Sequence, residues 1–131
     1  MEMVASQDPK PVIKAAYLTQ LRHGPFTESE IVSNISQAQL REAVAQGYLV
    51  QDQNNGAHYS LSDAGRSKIT VVLAGGVYDV LHLGHLAALS EAKSFGDVLV
   101  AVVATDVTAE MLKGRKPIFP EEDRRQLVEG L

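Results

Sequence analysis

The chain has no cysteine and no tryptophan among its 131 residues. Without cysteine there is no disulfide scaffold, no thiol nucleophile and no thiolate zinc site. A reducing, cytoplasmic setting fits that composition. No apolar run approaches the roughly 18 residues of a membrane span. The opening MEMVASQDPKP lacks the basic-then-apolar pattern of a secretion signal. An excess of positive charge is missing as well: 12 Lys and Arg stand against 16 Asp and Glu, a net charge of -4. A protein built mainly to coat nucleic acid or an anionic membrane would carry the opposite sign. With 45% hydrophobic and 21% charged residues the composition is globular rather than disordered. What remains is a soluble chain whose length fits one ordinary domain or two small ones.

The pattern changes near Ile69, which suggests a domain over residues 11–69 after a disordered leader, 1–10, and a second over 70–131. In the first, Val12, Ile13, Ala16, Tyr17 and Leu21 form an apolar stripe at helical spacing that ends by Gly24-Pro25. Thr27 and Glu30 then read as a capping box, with Phe26 and Ile31 as its hydrophobic staple. Ser36 and Gln39, flanked by Ile35 and Leu40, repeat that grammar. Leu40, Ala43 and Val44 give the second helix an apolar face, and Gly47 is placed to stop it. Two strand-like runs, Tyr48 to Asp52 and His58 to Leu61, flank Asn54-Asn55-Gly56, a strong hairpin signal. Ser62-Asp63-Ala64-Gly65 closes the segment with a short helix start. Helices followed by a hairpin make a winged helix, and the YSLSDAG ending resembles many members of that family. The candidate recognition helix, Gln37 to Gln46, offers Arg41 but also Glu42, and residues 11–69 carry five basic and five acidic side chains. DNA binding is therefore disfavoured against a role in packing, homodimerisation or regulation.

The second segment opens with Thr70 to Ala74, a continuous apolar run expected for a strand buried on both faces. It leads into Gly75-Gly76-Val77-Tyr78-Asp79 and then His82-Leu83-Gly84-His85. A helical pattern follows through Leu86, Leu89 and Ala92 to near Gly96, and Val98 to Val103 reads as a second buried strand. Strand, loop, helix and strand in that order make a βαβ unit. The fold class is therefore α/β: a winged helix followed by the first part of a Rossmann-like parallel domain. Glycines after a parallel strand let backbone N–H groups approach a phosphate, and the next helix directs its positive end there. His82 and His85 are spaced to donate to one group of phosphate oxygens, with Gly84 removing a side chain that would obstruct the ligand. Zinc is the lesser reading of this pair, because no third ligand stands beside it. Lys113, Arg115 and Lys116 place three cations within four residues, a counter-charge suited to triphosphate and pyrophosphate. Asp106 sits after the second strand, either at a ligand-binding strand edge or as the cap of the next helix.

GGVYDVLHLGH closely resembles the G-x-[FY]-D-x-x-H-x-G-H signature of the cytidylyltransferase-like nucleotidyltransferases, through Gly76, Tyr78, Asp79, His82, Gly84 and His85. The resemblance implies that His82 and His85 contact the nucleotide phosphates and stabilise the transition state, with Lys113 and Arg124 as clamps. It implies a nucleotide site that also includes Gly75, Gly76, Val77, Tyr78, Asp79, Gly84, Asp106 and Arg115, with Mg²⁺ or another divalent cation accompanying the nucleotide. Asp79 is expected to hold the loop or orient a histidine. Arg124 is placed to reach a phosphate or to pair with Glu121, and the resemblance favours the phosphate. Within the family, AKSFGDVLVAVVATD and KGRKPIFPEEDRR look most like the archaeal-type FAD synthases, which move AMP from ATP onto FMN. The glycerol-3-phosphate cytidylyltransferases, which use CTP, are the next resemblance. A regulator with the nucleotide fold as sensor and the winged helix as reader is the rival of another class. The family's later motif, beginning R-T-x-G-I-S, has no match here. The expectation is that the C-terminal part of the catalytic domain is absent and that the chain binds nucleotide weakly.

Overall fold

Pro9 sits at the mouth of the first helix, where its missing N–H costs nothing, and α1 runs over Lys10–His23. The structure, a computed structural model, describes residues 8–31, 35–54 and 56–131. Helix therefore begins inside the expected leader, of which residues 1–7 lie outside the described residues. The chain divides into two compact units, Met1–Ile69 and Thr70–Leu131.

In the first unit α1 buries Val12, Ile13, Ala16 and Thr19. Leu21, expected on the same stripe, is 56% exposed. It falls off the buried face, and Thr19 takes an inward position by returning its hydroxyl to Ala15 O at 2.8 Å. The strand β1 (Phe26–Thr27) follows. Thr27 pairs with His58 across the sheet, and 28–30 form a turn rather than the expected helix start. Half of the capping box forms, since the Thr27 N–H donates to the Glu30 carboxylate at 2.8 Å. The Thr27 hydroxyl bonds the Ser29 hydroxyl instead. The continuation at 32–34 lies outside the described residues.

The second capping box is complete. Ser36 accepts from the Gln39 N–H and Gln39 from the Ser36 N–H, opening α2 (Gln37–Ala45). β2 (Leu49–Gln51) and β3 (His58–Leu61) form the hairpin, whose tip residue Asn55 lies outside the described residues, and α3 (Asp63–Arg66) closes the unit. The antiparallel sheet has the order β1-β3-β2. Phe26, Leu40, Ala43 and Leu49 meet Val12 and Ala16 in one core, with Ile31 at its edge.

The second unit begins with the parallel pair β4 (Val71–Gly76) and β5 (Val98–Val103), joined by α4 (Leu83–Ser94). Register runs from Val71 opposite Val98 to Gly76 opposite Val103. Two short helices follow, α5 (Asp106–Lys113) and α6 (Glu121–Glu129). Neither strand is buried on both faces: Leu73 is 69% exposed and Val102 51%. The alternation of a parallel ladder puts these two on one face, which the helices leave open.

Because the Ser36 hydroxyl satisfies the Gln39 N–H at the start of α2, Ser36→Ala is expected to lower the stability of the first unit by about 1 kcal/mol. Urea unfolding checks this, and an unchanged midpoint would contradict it.

Candidate active site

The C-terminal ends of β4 and β5 open onto a cleft of about 330 Å³, lined by Val77, Tyr78, Asp79, Val80, His82, His85, Ala109, Lys113, Arg115 and Pro117. That is near the lower end of small-molecule sites, about 300–1,000 Å³. Seven of the expected site residues thus converge: Val77, Tyr78, Asp79, His82, His85, Lys113 and Arg115. Gly75, Gly76, Gly84, Asp106 and Arg124 are not in the lining.

His82 is the N-cap of α4 and His85 stands in its first turn. Their rings lie 4.1 Å apart between centroids. His82 Nδ1 accepts the Gly84 N–H at 3.0 Å, and His85 Nδ1 accepts the His82 N–H at 3.3 Å. A ring nitrogen that accepts a backbone N–H holds a lone pair, so the proton of each neutral imidazole is on Nε2. The helix start therefore delivers two Nε2–H donors side by side.

Gly84 also has a role within the fold itself. A Cβ there would stand 2.7 Å from His82 Cε1 and 2.9 Å from its Nδ1. The glycine makes room for the capping ring. Gly75 and Gly76 likewise belong to β4, opposite Val102 and Val103, and not to a phosphate-binding loop. Their amides lie in a strand. What Gly76 accommodates is the ring of Tyr78, 3.0 Å from where its Cβ would be. Tyr78 adopts φ 52°, a left-handed backbone that costs a non-glycine residue about 1–3 kcal/mol. Its hydroxyl donates to Ala74 O at 3.2 Å, and its ring tilts against His85 at 5.7 Å.

Asp79 holds the loop, one of the two roles expected of it. Its carboxylate accepts the N–H groups of Ile118 and Phe119, each at 2.9 Å, and lies 3.6 Å from the Arg115 guanidinium. These two backbone bonds, with Arg115 behind them, hold the Asp79 carboxyl below its ordinary value of 3.8. Lys113 ends α5, where Gly114 in the left-handed region turns the chain back.

Arg124 departs most from expectation. It is fully buried, bonded neither to Glu121 nor toward the cleft. Its Nε donates to Phe119 O (2.9 Å), Nη1 to Val77 O (2.6 Å) and Ala104 O (2.8 Å), and Nη2 to Asp106 (2.8 Å). With four of its five N–H donors so engaged, it is not a phosphate clamp. Asp106 is correspondingly neither a free ligand group nor the helix cap. Thr105 caps α5, and the Asp106 carboxylate faces Arg124.

The sequence reading missed Val80, Ala109 and Pro117. Ala109 was within reach, since it lies one turn before Lys113 on the same helix face. Among the described residues no three His, Asp or Glu side chains converge to hold a metal ion. Asp79, the one carboxylate in the lining, is already committed, so the divalent cation expected with a nucleotide finds no protein ligand set here.

Residues 73–131 match the cytidylyltransferase-like family model. Over those residues the second unit resembles that family. The chain is 56% identical over 66 residues to the FAD synthase of Thermococcus onnurineus, a stretch covering 50% of this chain and 43% of that protein. The FAD synthase of Thermococcus kodakarensis is 52% identical over 66 residues, covering 50% and 44%. That of Pyrococcus abyssi is 47% identical over 68 residues, covering 52% and 45%. The chain thus spans less than half the length of the curated relatives it matches. A solved structure, the lipopolysaccharide core biosynthesis protein from Thermoplasma volcanium, is 49% identical with a TM-score of 0.46, covering 48% of this chain and 51% of its own. No helix among the described residues is long and apolar enough to cross a membrane.

The lowered Asp79 value fixes the direction of a pH effect on the cleft. A depressed carboxyl stabilises the loop fully above its unfolded value, and that contribution is lost as pH falls through the folded one. The Ile118 and Phe119 amide resonances are expected to stay in place while the pH passes 3.8, and to move only below it. An NMR titration checks this. Movement centred at or above 3.8 would contradict it, and Asp79→Asn removes the transition.

Proposed function

We propose that this unit carries the nucleotide half of a nucleotidyltransferase site that moves AMP from ATP to FMN, giving FAD and pyrophosphate. The observation that carries the reading is the pair of Nε2–H donors at the start of α4, facing the same cleft as Lys113 and Arg115. The FAD synthase names of the relatives support ATP and FMN as the substrates.

In this reading a phosphate oxygen of FMN attacks the α-phosphorus of ATP. A new P–O bond forms while the bond to the bridging oxygen of the β-phosphate breaks, and pyrophosphate leaves with that electron pair. The attacking phosphate is already ionised, so no general base is required. The residues supply charge and position: His82 and His85 donate to the α-phosphate oxygens as negative charge shifts onto them. Lys113 and Arg115 neutralise the departing pyrophosphate. A divalent cation accompanying the nucleotide would supply further counter-charge.

For the first unit we infer a winged helix. A β2–β3 hairpin directly after α2, in a sheet ordered β1-β3-β2, supports it. Its cations are partly occupied, Arg66 over the Tyr17 ring and Lys68 over the Tyr48 ring, which favours a packing or homodimerising role over DNA binding. We place the protein in the cytoplasm.

Calorimetric titration with ATP, CTP and FMN in the presence of Mg²⁺ tests the substrate. ATP and FMN binding lost in His82→Ala is the expected result, and CTP preference would instead favour a cytidylyl donor. In the enzyme that contains this unit, His85→Ala is expected to lower kcat about 10²–10³-fold with folding retained. Turnover within about twofold of the parent would rule out a transition-state donor.

A further inference from the structure

The backbone of Phe119 is gripped from both sides: its N–H by the Asp79 carboxylate, its carbonyl by the Arg124 guanidinium. That same guanidinium holds the carbonyl of Val77, two residues before Asp79. The bonds close a ring through segments 77–79 and 118–119. Arg124 also grips Ala104 O and Asp106, which fixes the first residue of α5, the helix that ends at Lys113. Between these two fixed points runs the stretch that carries Lys113, Arg115 and Lys116.

We propose that Arg124 and Asp79 form a two-sided clasp that sets the cationic loop, Lys113 to Phe119, over the cleft, making Arg124 a positioning residue. The physical requirement is specific to arginine. A planar fork satisfies four acceptors in different directions, whereas a lysine ammonium has three donors at one point. The loop's cations then meet an anion without first being ordered, so less of the binding energy is lost to ordering them. The clasp deepens the nucleotidyl-transfer reading but is detectable without it, because its first consequence is in the backbone.

The test is amide hydrogen exchange together with pyrophosphate binding, on the full chain and on Arg124→Lys, Asp79→Asn and the double variant. In Arg124→Lys, exchange at Ile118 and Phe119 is expected to accelerate about tenfold or more, while the β4–β5 ladder amides change less than about twofold. Pyrophosphate affinity is expected to fall about tenfold in either single variant. Adding Arg124→Lys to Asp79→Asn should then cost less than about twofold more, because the loop is already released. Uniform acceleration across the unit, unchanged exchange at 118–119, or fully additive losses would overturn the clasp. If Arg124→Lys does not fold, Asp106→Asn replaces it. That variant removes the charge partner at a partly exposed position, and the same selective pattern is required of it. Absence of pyrophosphate binding by the unaltered chain would count against nucleotidyl transfer, and the exchange pattern would still decide the clasp.

Discussion

The second unit depends on one buried guanidinium. Arg124 has no exposed surface, and burying a charge is unfavourable by several kcal/mol unless its hydrogen-bonding groups are met. Three carbonyls and one carboxylate meet them, and each comes from a different part of the C-terminal edge of the sheet: Val77 after β4, Ala104 after β5, Asp106 in α5 and Phe119 before α6. The carbonyls at the ends of parallel strands lack ladder partners beyond the last pair, and buried orphans of that kind must be satisfied. Arg124 satisfies two of them. The arrangement therefore solves two desolvation problems together, and the cleft is formed where the segments so joined meet.

Much of this was legible in the sequence, and the parts that were not share a physical cause. Ser36, Gln39, Leu40 and Ala43 were readable because capping and helical periodicity are local, and the βαβ order was readable from two β-branched runs around an apolar helix. Asp79 as a loop holder was readable from a motif. Arg124 was not, because its position in an acidic-to-basic helix start fits a surface ion pair as well as a buried hub. Only the tertiary approach of Val77 and Ala104 distinguishes them. The same applies to the fit of Gly84 and Gly76 against the rings of His82 and Tyr78. Thr27 misled for a related reason. A capping-box pattern offers its bonds to any turn, and here pairing with His58 in the sheet competes with helix initiation.

The open face of the parallel pair bears on how the chemistry is supported. Parallel sheets are normally covered on both faces, and Leu73 and Val102 stand uncovered on one of them. Polar bonds at the strand ends also hold the cleft. Tyr78 illustrates the balance. Its left-handed backbone is held by a ring fitted over Gly76 and a hydroxyl tied to Ala74, on the same strand that carries the loop. Burial pushes the Tyr78 phenol up from its ordinary value, so it remains a donor at neutral pH and that tie persists.

The two histidines complete the argument from backbone to chemistry. A neutral imidazole can donate from either nitrogen, and a site that relied on both tautomers would have to sort them at each turnover. Here the choice is made by peptide groups: the Gly84 N–H on His82 and the His82 N–H on His85. Both amides belong to the start of α4, where N–H groups have no backbone carbonyl of the helix to bond and turn to side chains instead. Capping the helix and orienting the donors are therefore a single arrangement. In the nucleotidyl transfer proposed above, such fixed donors would stabilise charge developing on a phosphate without reorganising, in a reaction that needs neither a covalent nucleophile nor a base.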